Sequence, residues 1–134
     1  MDPKTLKKIE GLARKVGHAF LATADDKGAP HIAVAGVLSV DAGGSIRLEE
    51  WFCPGTVKNL NVNLKTAVVV WDMGSDEGYQ ISCLVEQIED IAMMDGYSPS
   101  EGKVQPMPQV ERRLKLRPER ITRFRKAPHS ELED

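Results

Sequence analysis

The sequence predicts a mainly β fold, a small antiparallel barrel or sandwich carrying two short helices. Three observations point to it. Short apolar or β-branched runs recur along the chain, as in "AFLAT", "IRLEEW" and "TAVVVWD". Clusters rich in Asp, Gly and Ser, "DDKGAP", "DAGGS" and "MGSDEG", separate them as hairpin turns. Sustained helical spacing is confined to the opening residues, with one brief return after the third strand.

Asp2 followed by Pro3 reads as an N-cap and first helical position. Leu6, Ile9, Leu12, Ala13 and Val16 then form one apolar stripe, and Gly17 closes that helix. Ala19 to Thr23 is the first strand, His31 to Val40 the second and "IRLEEW" the third, a meander over residues 18–51. A short helix follows near 56–63, then "TAVVVWD" as strand four and a fifth strand near Tyr79 to Glu89. Residues 92–111 carry Gly96, Pro99, Gly102, Pro106 and Pro108 among polar residues and predict a long irregular excursion. "LKLRPERITRFR" returns as a final strand or strand pair interrupted at Pro118. One domain over 1–126 and a frayed acidic tail over 127–134 are the expected organisation.

Composition excludes several classes. With 134 residues, 41% hydrophobic and 28% charged, the chain is an ordinary globular domain able to bury a core. Its apolar runs fall short of the roughly 20 residues a spanning helix needs, so no membrane partner is expected. "MDPKTLKKIEGLARK" lacks the apolar segment and cleavage site of a signal peptide, which predicts the cytoplasm. Cys53 and Cys83 form no CxxC, and His18, His31 and His129 are scattered, so no metal site is expected. A net charge of −2 argues against nucleic acid as a partner. The basic stretch Arg112 to Lys126 holds eight Lys or Arg against one Glu but interleaves no stacking platform of aromatic residues.

Two stretches bear on function. In "HIAVAGVLSV" one face carries Ile32, Val34, Gly36, Leu38 and Val40 and the other Ala33, Ala35 and Val37, so neither face is suited to water. Either a second layer of protein covers the spare face, or small residues there admit a flat ligand against the backbone. In "FCPGTVKNLNVN", Thr56, Lys58 and Asn59 stand where a short helix begins. A helix N-terminus offers free N–H groups and partial positive charge, which with a hydroxyl and an ammonium make a phosphate site. Equally, Thr56 can be a simple N-cap and Lys58 a solvated lysine.

"VGHAFLATADDKGAPHIAVAG", "TVKNLNVNLKTAVVVWD" and "LRPERITRF" together resemble the pyridoxamine 5'-phosphate oxidase-like, FMN-binding split-barrel family. The likeness runs in order over roughly residues 5 to 125 and covers the opening hairpin, the short helix with its following strand, and the closing strand. It implies a six-stranded antiparallel split β-barrel of Greek-key type that forms a homodimer with FMN at the subunit interface. By position, the flavin ring is expected near Val34, Ala35 and Gly36 and near Glu50, Trp51 and Phe52, with Thr56, Lys58 and Asn59 on the phosphate. The chain departs from the family pattern in two places, with Thr56 where a lysine is usual and Leu64 where proline is common. The implied activity is that of an oxidoreductase or electron-transfer protein of unknown substrate and unassigned catalytic residues. The alternative is a non-catalytic module binding flavin, deazaflavin or haem in the same groove.

Overall fold

A computed structural model describes residues 2–52, 54–94, 109–128 and 130–133. Nine elements follow one another: α1 (Pro3–Val16), β1 (Ala19–Ala24), β2 (Pro30–Ala35), β3 (Val37–Val40), β4 (Ile46–Phe52), α2 (Pro54–Val62), β5 (Lys65–Asp72), β6 (Glu77–Met94) and β7 (Gln109–Arg123). The strands form one antiparallel sheet in the order β2-β1-β5-β6-β7-β4-β3. Its two edges, β2 and β3, are consecutive in sequence and joined by Gly36 alone. That connection turns the sheet back on itself and brings its two edge strands close at one end, although they do not pair, which is the curl of a split barrel.

The helix and turns form as their chemistry requires. Asp2 accepts from the Lys4 N–H at 3.0 Å and from the Thr5 hydroxyl at 3.0 Å, and Gly17, at φ 84°, donates its N–H to the Ala13 carbonyl. Two hairpins repeat one device. Asp25 accepts from the N–H groups of Lys27 and Ala29 ahead of a left-handed Gly28, and Asp41 does the same with Gly43, Ser45 and Gly44. Leu6, Ile9, Leu12 and Ala13 of α1 bury against a core that includes Leu21, Val68, Ile81, Leu114 and Leu116. Glu10 reaches from α1 to the Val40 N–H at 2.7 Å, satisfying a donor on the edge strand β3.

Four expectations need adjusting. The segment His31 to Val40 is two strands kinked at Gly36, which makes seven strands rather than six. The kink also changes which side chains face in: Ala35 and Leu38 are buried while Val34 and Val37 are exposed, so simple alternation fails across it. The final segment is one unbroken strand. Pro118 lies opposite Cys83 beside a register shift, where its missing N–H costs the ladder little. The excursion over 92–111 is shorter than expected because β6 runs to Met94 and β7 starts at Gln109; residues 95–108 lie outside the described residues. In the acidic tail, the Arg123 N–H bonds to the Leu132 carbonyl and the Glu131 N–H to the Arg123 carbonyl.

Candidate functional site

Helix α2 begins two residues earlier than the sequence suggests, because Pro54 is itself a good first helical residue. Thr56 is therefore inside the first turn rather than at the N-cap. It is 0% exposed, and its Oγ1 lies 3.0 Å from His31 Nε2 on β2. Asn59, three residues on and on the same helix face, is also buried and donates its Nδ2–H to Thr23 Oγ1 at 3.0 Å. Thr23 and His31 are register partners across β1 and β2. One opposed pair on the hairpin thus holds two successive positions of one helix face. Lys58 points away from this seam and is exposed.

These contacts fix α2 against the side of β2 that carries His31, Ala33 and the buried Ala35. The opposite side carries Ile32 and Val34, 66% and 59% exposed, and past the kink Val37 is 54% exposed. Of the residues predicted to meet a ring, Val34 faces outward and Ala35 is turned into the core. Gly36 sits beside open space, since an added Cβ there would meet nothing within 4 Å. Glu50, Trp51 and Phe52 end β4, with their side chains outside the described residues. The residues named from sequence therefore divide into a helix-mouth group, Thr56 and Asn59 with Lys58 beside them, and an outer strand group, Val34 and Gly36.

His31 and Thr23 belong to the helix-mouth group and were missed by sequence reasoning. The signal was available: each has the inward parity of its strand, shared with Ala33 and Ala35 in one case and with Ala19 and Leu21 in the other. A polar residue at such a position needs a partner, and a helix arriving from outside the hairpin supplies it.

Two other reactive side chains among the described residues, Cys83 and Arg113, are inert or paired. Burial pushes the Cys83 thiol up to about 12, with Glu119 adding to the effect, so it is no nucleophile at neutral pH. Arg113 of the basic stretch sits between two carboxylates, its Nε 2.8 Å from Glu49 and its Nη1 3.7 Å from Glu89. Among the described residues no three His, Cys, Asp or Glu side chains gather as a metal site. A cavity of about 770 Å³ lies between α1, the β3–β4 turn and Glu86, and its lining includes none of the helix-mouth residues.

An exposed ammonium and a pinned helix N-terminus favour an anion, and an edge strand with bare Ile32 and Val34 favours an apolar face. No curated protein matches the chain. Among solved structures, a Clostridium acetobutylicum protein related to general stress protein 26 of Bacillus subtilis, of the pyridoxinephosphate oxidase family, is 16% identical. It covers 94% of this chain and 92% of its own, at a TM-score of 0.62. An FMN-binding protein of Syntrophomonas wolfei is 18% identical over 88% of both chains at 0.56. The haem storage protein HutZ of Vibrio cholerae is 14% identical over 84% of this chain and 89% of its own, at 0.53. Residues 5–124 match the sequence profile of the pyridoxamine 5'-phosphate oxidase family, and the chain belongs to that family.

Proposed function

We propose that the protein is an FMN-binding flavoprotein acting as a cytoplasmic homodimer, an oxidoreductase or electron carrier with the flavin at the subunit interface. The observation that carries this reading is the pinned N-terminal half of α2 beside the bare edge strand β2. Two side-chain hydrogen bonds fix where the helix N-terminus lies, and its first-turn N–H groups, with the exposed Lys58 on the same helix, would supply the positive charge that a phosphate needs. Ile32 and Val34 lie on the far side of β2 from the helix, and Gly36 directly follows the strand. Because β2 is an edge strand, a ligand along its open edge reaches both groups, and a second copy of the chain seated on Ile32 and Val34 would enclose the ring. A single chain would then display an apolar strand rather than a closed pocket.

Bound FMN supplies hydride and single-electron chemistry through its own ring, so the protein need only bind, orient and exclude water. Lys58 would hold the phosphate charge, Val34 and the Gly36 backbone would fix the ring plane, and the two-fold partner would remove bulk water. Support comes from the family match and from the FMN-binding Syntrophomonas wolfei neighbour. An absorption spectrum of the purified protein after incubation with FMN and desalting tests the reading. Retained flavin bands are expected. A haem band with no uptake of added FMN contradicts it.

A further inference from the structure

A cavity of about 270 Å³, sharing no residue with the mouth of α2, opens between α1 and the turn that joins β5 to β6. Lys8 of α1, Ser75 and Asp76 of the turn, Glu77 of β6, and Arg123 and Arg125 at the end of β7 line it. Arg125 is half-buried without a counter-charge. Its Nε is buried and has no hydrogen-bond partner among the described residues, and neither Arg125 nor the exposed Lys8 makes an ion pair there. The two carboxylates beside them are engaged elsewhere. Asp76 accepts from Trp71 Nε1 at 3.0 Å and from the N–H groups of Lys126 and Ala127 at 2.7 and 2.9 Å, and Arg125 acts on it less than any of these bonds do. Glu77 interacts with Lys15, which itself lies 2.7 Å from Asp72. A partly desolvated cation with no partner costs free energy, and a buried donor with no acceptor is rare enough to call for an ion at the site.

We infer that this cavity binds a small phosphate-type oxyanion, free or as a monoester, with the Arg125 guanidinium and the Lys8 ammonium as its counter-charges. This inference stands apart from the flavin reading. A guanidinium presents a planar fork to two oxygens of one oxyanion, and an ammonium on a flexible stem adds a point charge from the opposite wall. Two cations from separate elements favour a dianion over a single carboxylate. The volume falls below the roughly 300–1,000 Å³ of pockets that hold drug-sized ligands, so the occupant is small. The main chain already fixes where the Arg125 charge sits. Its N–H donates to Ser130 Oγ at 3.1 Å, and the two residues that follow are tied to Asp76. An anion here would neutralise the guanidinium where the β5–β6 turn, the end of β7 and the tail meet, and so stabilise their junction.

Titration calorimetry with inorganic phosphate, at about pH 7.5 and constant ionic strength, tests the site on the wild type and three variants. Arg125→Gln and Lys8→Gln each remove one charge from the cavity, whereas Lys58→Ala removes the charge on α2. Phosphate affinity is expected to survive in Lys58→Ala and to fall about tenfold in each cavity variant, the scale of one charge-assisted contact. Lys8 is exposed, so Lys8→Gln keeps the fold whatever Arg125→Gln does, and thermal unfolding without phosphate checks both. Added phosphate should raise the melting temperature of the wild type more than that of Lys8→Gln. No binding by the wild type at millimolar phosphate overturns the site. So does a loss confined to Lys58→Ala, which would place the anion at α2, or an equal loss in all three variants, the mark of general cationic attraction.

Discussion

Thr23 and His31 face each other across β1 and β2, and each holds one residue of α2, Asn59 at 3.0 Å and Thr56 at 3.0 Å. A nine-residue helix is marginal by itself, so these two hydrogen bonds, one buried and one partly buried, decide where its N-terminus lies.

Breaking one arm should therefore both destabilise the fold and disorder the site. Asn59→Ala leaves the buried Thr23 hydroxyl without its partner, at a cost of about 1–3 kcal/mol. Thr56→Val keeps the shape, removes the hydroxyl and should cost about 0.5–1.5 kcal/mol. Denaturant unfolding checks both. A cost for Thr56→Val near zero would mean that the His31 contact does not hold the helix.

Gly78 is fixed by space rather than by dihedral angle. A Cβ there would stand 2.6 Å from the Phe124 carbonyl oxygen, 2.7 Å from that of Val70 and 2.8 Å from Trp71 Cδ1. Two of the three are backbone and cannot swing aside. Gly78→Ala is expected to destabilise by about 1–3 kcal/mol, as overpacking does, and to lower the melting temperature accordingly. Gly36→Ala serves as the control: open space surrounds that position, so folding should be unaffected.

Val34 tests the assembly. Its exposed side chain lies on the edge strand, so Val34→Asp should leave the monomer fold intact. If this face joins two copies, sedimentation velocity will show a dimer for the wild type and a monomer for the variant, with FMN retention lost alongside. A wild-type monomer that still retains FMN would defeat the shared-site arrangement.

Asp76 gives the fold an acid sensitivity with a defined sign. Its carboxylate accepts from the N–H groups of Lys126 and Ala127 and from Trp71 Nε1, and these bonds, the two backbone ones foremost, hold it below the usual carboxylate range. A depressed folded-state pKa contributes stability that is present at neutral pH and lost as pH falls below about 4. Asn tolerates the left-handed φ of 55° there, so Asp76→Asn removes the charge without adding strain. The variant should be less stable than wild type at pH 7, and the gap should narrow by pH 3. A gap independent of pH would assign the contribution to shape instead.

Much of this architecture was legible because it is written in local chemistry. The Asp-x-x-Gly turns at 25–28 and 41–44, the Asp2–Pro3 start and the helical stripe of α1 each need only a few neighbouring residues. Gly36 hid a strand boundary because an apolar run on both sides of a glycine looks like one strand. Only the closing of the sheet, a non-local event, requires the kink. The start of α2 was misjudged because Gly55 beside Pro54 resembles a turn, although Pro at a first helical position is a start signal. Around the candidate site, a helix near Thr56 was legible, but the contacts that hold it were not. Thr56 was read from its sequence neighbours, while its partner His31 lies 25 positions away on another element.

The central claim is that the mouth of α2 binds the phosphate of FMN, and Lys58 tests it most directly. Its side chain is exposed and takes no part in the helix seam, so Lys58→Ala should not disturb folding. Flavin fluorescence titration of wild type and variant with FMN and with riboflavin separates phosphate from ring, since riboflavin lacks only the anion. The account predicts a roughly tenfold loss for FMN, the scale of one charge-assisted contact, with riboflavin unchanged. Equal losses for the two ligands, or no loss for FMN, would contradict it.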